Sequence, residues 1–200
     1  MNSRPVQSSL FAIALLVVAV AITMLLLDRA TTRVPRTQSA APSLEVLRTN
    51  LVLTDGRLRL IGSTNSFTGN MVEHYVDGAL RSRSAVSDGL LHGLSQGWFR
   101  NGQLQVSETF NRGVSHGLRT KWFPSGAKQS EASIVDGKLH GTFRKWHENG
   151  TLSEQVEFVA GRANGVSYAY FSSGYLKSQV TMRSGKPAEQ SFWKEVEGHE

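Results

Sequence analysis

The sequence predicts an all-β protein, an elongated single-sheet array of tandem 24-residue β-hairpin repeats preceded by one N-terminal transmembrane helix. Three observations predict it. Glycine recurs in three columns at one fixed spacing, the residues between the columns alternate apolar and polar, and an uninterrupted apolar run stands near the N-terminus.

The apolar run extends from Leu10 to Leu27, eighteen positions that rise about 27 Å as a helix, enough to span a bilayer core. A cleaved signal peptide is the alternative. Its apolar region is usually shorter and ends on small residues, whereas this run ends at Asp28-Arg29, and the later Ser39-Ala40-Ala41 is followed by Pro42. An uncleaved signal anchor is therefore expected, after a short tail at residues 1–9. Both flanks carry similar positive charge, so the positive-inside rule gives no orientation. Short N-terminal tails commonly stay in the cytoplasm, which places the repeat domain outside it, periplasmic or extracellular. Residues 28–50 mix Arg, Thr, Ser, Ala and Pro without apolar period and read as a flexible stalk.

From residue 51 to residue 190 the repeat governs the pattern. Gly69, Gly93, Gly117, Gly141 and Gly165 form the first column; Gly78, Gly102, Gly126, Gly150 and Gly174 the second; Gly89, Gly113, Gly137, Gly161 and Gly185 the third. Of nineteen glycines, fifteen fall in these columns, which chance placement does not give. Trp98, Trp122, Trp146 and Tyr170 keep the same period, with His74 in the first unit. So do Leu80, Leu104, Leu152 and Leu176, broken by Lys128, and Val86, Phe110, Ile134, Phe158 and Met182.

After the second glycine, Leu152, Glu154, Val156 and Phe158 are expected on one side of an extended strand and Ser153, Gln155 and Glu157 on the other. Short aromatic stretches such as Thr142 to His147 precede it, joined through Asn149-Gly150 or Ser173-Gly174. Asn-Gly between two such runs signals a hairpin, because both residues accept the positive φ of a tight turn. One hairpin is marginal in water, so neighbours must cover each other's apolar columns. Residues 51–68 and 186–200 look like atypical ends, and residues 191–200 like a C-terminal tail.

Several function classes are excluded or disfavoured. The chain has no cysteine, hence no disulfide, thiolate or Cys-based metal site. Its net charge of +6 is spread out, at +1 over residues 1–27, +2 over 28–50 and +3 over 51–200, with Arg81, Arg83, Arg119, Lys121, Arg144 and Lys145 interleaved with acids. Nucleic-acid binders gather such charge on one element, so nucleic acid is not an expected partner. No nucleophile elbow, phosphate-cradling loop or His-Glu-x-x-His occurs, and the polar residues recur with the repeat instead of breaking its symmetry. A non-enzyme without cofactor or metal is expected. His92, His116 and His140 precede the first glycine column, where Thr68 and Asn164 stand in other units; such residues bond to local backbone in turns, and the row is read as turn chemistry rather than metal binding.

The unit Gly141-Thr142-Phe143-Arg144-Lys145-Trp146-His147-Glu148-Asn149-Gly150-Thr151-Leu152, with Phe158 and Gly161, resembles the bacterial, antitoxin-type variant of the MORN repeat. Ser66-Phe67-Thr68-Gly69 is similar to the Pro-Phe-Thr-Gly that introduces such arrays, and the resemblance covers about residues 50–190. It implies tandem hairpins and a choice among protein scaffolding, membrane or lipid contact, and an antitoxin role. The expected function is a membrane-anchored scaffold that binds another protein at the cell envelope. Neutralisation of a cognate toxin by direct contact is one alternative, and binding of glycans or lipid headgroups another. The candidate binding surface is Trp98, Trp122, Trp146 and Tyr170 together with Arg119, Lys121, Arg144 and Lys145.

Overall fold

The computed structural model describes residues 44–195, so the Leu10–Leu27 run and residues 28–43 of the stalk lie outside the described residues. Among the described residues no helix is long and apolar enough to cross a membrane; the one helical segment is a 3-10 turn at Arg48–Asn50.

Seventeen strands follow in chain order. Three precede the first unit: β1 (Glu45–Leu47), β2 (Leu51–Thr54) and β3 (Arg57–Leu60). The first unit holds β4 (Gly69–His74) and β5 (Leu80–Ser87), and the second β6 (Leu90–Trp98) and β7 (Leu104–Asn111). The third to fifth units repeat the scheme in β9 (Gly117–Trp122) and β10 (Lys128–Val135), β12 (Gly141–Trp146) and β13 (Leu152–Val159), and β15 (Gly165–Tyr170) and β16 (Leu176–Arg183). Two-residue strands β8 (Val114–Ser115), β11 (Lys138–Leu139) and β14 (Arg162–Ala163) link the units, and β17 (Lys186–Phe192) ends the series. All except β2 and β3 join one fifteen-stranded sheet, whose order β1-β4-β5-β6-β7-β9-β10-β12-β13-β15-β16-β17 is an antiparallel meander with β1 added in parallel. The expected single-sheet array of hairpins is thus the fold.

Two kinds of turn alternate along the chain. After the first strand of each unit, Tyr75, Phe99, Phe123, His147 and Phe171 accept from the glycine three residues on and donate to the carbonyl four residues on, at 2.8–2.9 Å. Only that glycine takes a positive φ, from 83° to 90°. Asn101 and Asn149 do not, contrary to the Asn-Gly expectation. Their Oδ1 atoms instead accept from the amides of Gln103 and Thr151 at 3.1 Å, so asparagine serves here as a side-chain cap of a three-residue loop. The two-residue turns with positive φ at both positions sit between units, at Asp88-Gly89, Arg112-Gly113, Asp136-Gly137, Ala160-Gly161 and Ser184-Gly185.

Register corrects a second expectation. Trp146 pairs with Leu152 while Lys145 pairs with Glu154, so β13 carries one extra residue there, a β-bulge that recurs in all five units. Leu152 therefore faces the Trp146 side and not the side of Glu154, Val156 and Phe158, and the same holds for Leu176 against Ser178, Val180 and Met182. The apolar columns divide between faces. The front carries Trp98, Trp122, Trp146 and Tyr170 with the leucine column; the back carries Val86, Phe110, Ile134, Phe158 and Met182.

The back is the better covered face, with Val86, Ala132, Ile134 and Val156 buried and Phe143 set edge-on to Phe158 at 6.3 Å. At its N-terminal end the β2–β3 hairpin closes it, as Leu51, Leu58 and Phe67 cluster with Val86 against Met71 and Leu91. The stalk ends earlier than residue 50, because β1 is hydrogen-bonded into the sheet beside β4 through Glu45–Leu47. At the other end the sheet runs through Phe192, inside the segment expected as tail.

Candidate functional site

The front face is built by the last residue of each first strand. Trp98, Trp122, Trp146 and Tyr170 lie opposite Leu104, Lys128, Leu152 and Leu176, and all four rings are half-buried. They are one unit apart, about 10 Å at two strand spacings. Tyr168 stacks against Tyr170 at 6.4 Å, and the Lys128 ammonium sits 5.2 Å from the Trp146 ring centre. Alternating with the tryptophans along the same strands, Leu94 and Leu118 are about half exposed. The front is therefore an open apolar surface that no second layer covers among the described residues.

The basic candidates separate. Arg144 is on the front, where its Nε donates to Gln155 Oε1 at 3.3 Å. Arg119, Lys121 and Lys145 are on the back, since Lys121 lies opposite Val106 and Ser130, and Lys145 opposite Glu154. Arg119 is paired with the Glu108 carboxylate, which also accepts from Ser115 Oγ, so its charge is held within the sheet. Lys121 and Lys145 are exposed, and Lys121 lines an open recess of about 520 Å³ with Phe99, Gln105, Val106, Trp122 and Gln129.

A further 24-residue column, Tyr75, Phe99, Phe123, His147 and Phe171, stands one place after the tryptophans; from the sequence His147 reads as a packing or surface residue in an aromatic column, and its bond to the next unit is not legible there. The column's two polar members bind one unit to the next: Tyr75 Oη donates to Trp98 O at 2.7 Å and His147 Nε2 donates to Tyr170 O at 3.0 Å. Its period is visible in the sequence, whereas the bond between units depends on which member carries a donor. The residues before the first glycine column also join units. Thr68 Oγ1, His92 Nδ1, His116 Nδ1 and Asn164 Oδ1 accept from the amides of Asp88, Arg112, Asp136 and Ser184 at 3.0–3.5 Å.

The second and fourth units carry the sharpest version of this pattern. Two segments of the chain match the MORN repeat variant. They are residues 91–112 and 139–160, which begin and end at equivalent points of the repeat, each running from just past one two-residue turn to the first residue of the next. MORN repeats typically mediate contacts with proteins or membrane lipids. No curated protein matches the chain in sequence. Among solved structures, the chain is similar to a mutant of S. aureus TarM in complex with Fondaparinux, alpha-GlcNAc-glycerol and UDP, at 13% identity and a TM-score of 0.32. It is also similar to TarM in a second crystal structure, at 13% identity and a TM-score of 0.31. Each likeness covers 48% of this chain and 19% of the other, and neither bears on what this chain does.

Proposed function

We propose that the chain is a non-catalytic interaction scaffold of MORN-type hairpins, held at the membrane by Leu10–Leu27 with the repeats outside the cytoplasm, and that its front face receives another protein. The observation that carries this reading is the half-buried row Trp98, Trp122, Trp146 and Tyr170, flanked by the exposed Leu94 and Leu118 on a sheet face that no second layer covers among the described residues. Large rigid aromatic side chains at regular intervals give binding energy with little loss of side-chain entropy. Open apolar area of this kind marks interaction surfaces on soluble domains. The eighteen-residue apolar run supports the tether.

The test is capture of envelope proteins by the full chain in detergent, with Trp122→Ala and Trp146→Ala alongside. The expected result is a specific protein retained by the parent and lost from both variants while their circular dichroism stays β-rich. Retention unchanged in both variants contradicts the reading.

A further inference from the structure

Resting on that reading, the chemistry of the partner segment can be narrowed. Cross-strand pairs beside the two-residue turns lie on the front face: Val135 opposite Lys138, Val159 opposite Arg162, and Arg183 opposite Lys186. Lys138, Arg162, Arg183 and Lys186 are exposed, and none of them is in an ion pair among the described residues. Beside them the exposed large apolar side chains of the linking and second strands, Val114, Val135 and Val159, are 44–52% accessible and belong to the same face.

Two details mark this basic row as more than a solvated rim. Like charges directly opposite each other destabilise a sheet, yet Arg183 and Lys186 occupy such a pair at a turn where either could have been neutral. The row is also held at fixed intervals, because the stems of Lys138 and Arg162 pack over the turn glycine of the next unit. A Cβ on Gly161 would lie 3.5 Å from Lys138 Cβ, and one on Gly185 3.8 Å from Arg162 Cβ. The cations at Lys138, Arg162 and Lys186 thus recur once per unit, about every 10 Å at two strand spacings.

A polyproline II segment repeats every three residues at about 3.1 Å each, or about 9 Å, so every third side chain lies along one ridge. We propose that the front face takes an acidic, proline-rich segment of a partner protein in that conformation, with a carboxylate at every third position. The carboxylates meet Lys138, Arg162 and Lys186, while the adjacent ridge rests on Val135 and Val159 beside them. A proline-rich chain already favours this conformation, so little ordering remains to overcome on binding.

The experiment measures binding of a fluorescent Glu-Pro-Pro repeat peptide to the full chain in detergent by anisotropy. A block peptide of the same composition and anionic phosphatidylserine vesicles are run beside it. The repeat peptide should bind more tightly than the block peptide and weaken with added salt. Lys138→Glu and Arg162→Glu should each weaken it by about tenfold, with unchanged circular dichroism. Equal binding of the two peptides, indifference to both charge reversals, or vesicle binding without peptide binding overturns the proposal. If the peptide fails while capture of a protein through Trp122 and Trp146 persists, this inference falls and the scaffold reading stands.

Discussion

Glycine plays two different parts in the unit, and the structure separates them. At Gly150 a Cβ would meet nothing within 4 Å, so only the positive φ of 86° demands glycine. At Gly89 a Cβ would lie 2.7 Å from Arg57 Cβ and 2.9 Å from Leu58 O, so the N-terminal hairpin also presses on the backbone. Gly150→Ala should then cost about 1–2 kcal/mol from the left-handed conformation alone, and Gly89→Ala clearly more, as read by urea unfolding of the full chain. Equal losses would mean that the hairpin does not close over the first unit. Charge at the residue scale gives another test. Arg119 is tied to Glu108, whose side chain is only 14% exposed, so Arg119→Ala should destabilise by about 1–3 kcal/mol by stranding the carboxylate. Adding Glu108→Gln should recover part of that loss. Lys121→Ala, on the same face and without an ion pair among the described residues, should be close to neutral by the same unfolding measurement.

At the scale of the element, units are stitched at both ends of their strands, which is why the hairpins form one sheet and not a string of beads. On one side Asn101 Nδ2 and Asn149 Nδ2 donate to the carbonyls of Pro124 and Ser172 at 2.8 Å. On the other, the amides of Gly113, Gly137, Gly161 and Gly185 donate to carbonyls of the preceding unit at 2.7–2.9 Å. Asn149→Ala removes a loop cap and an inter-unit bond together and should cost about 1–2 kcal/mol in chemical unfolding. Less was legible here than in the glycine columns. Leu152, Val156 and Phe158 fit a two-residue alternation on paper, yet the extra residue at the bulge sends Leu152 to the opposite face. Sequence alternation cannot register a residue that pairs with nothing. Asn-Gly announced a hairpin correctly, but whether one or both residues take positive φ is set by loop length, and the loop here has three residues, not two. The same parity separated Arg144 from Arg119, Lys121 and Lys145, which look equivalent when only the charge pattern is read.

For the whole molecule, quasi-one-dimensional order follows from these local joints, since each unit pairs with its neighbours along the meander. Deleting residues 117–140 joins His116 to Gly141, the same His-Gly step found at His116-Gly117, and keeps every register. The shortened chain should retain a cooperative melt at modestly lower temperature, whereas deletion of half a unit should abolish it. The period, the hairpins and the atypical ends were all present in the sequence, because a repeat multiplies each signal fivefold. The division of labour between faces was not, because it arises from bulges and from where the β2–β3 hairpin folds back. That division leaves the front more open than the back, although Val72 and Thr120 are buried on the front. Leu118 on the front is 52% exposed, and Ile134 on the back, within the same hairpin, is 3% exposed. The most direct measurement compares the urea midpoints of Leu118→Lys and Ile134→Lys in the full chain. Leu118→Lys should stay within about 0.5 kcal/mol of the parent and Ile134→Lys should lose about 4 kcal/mol or more. Similar losses in the two variants, or a greater loss at Leu118, would mean that the front is covered as fully as the back.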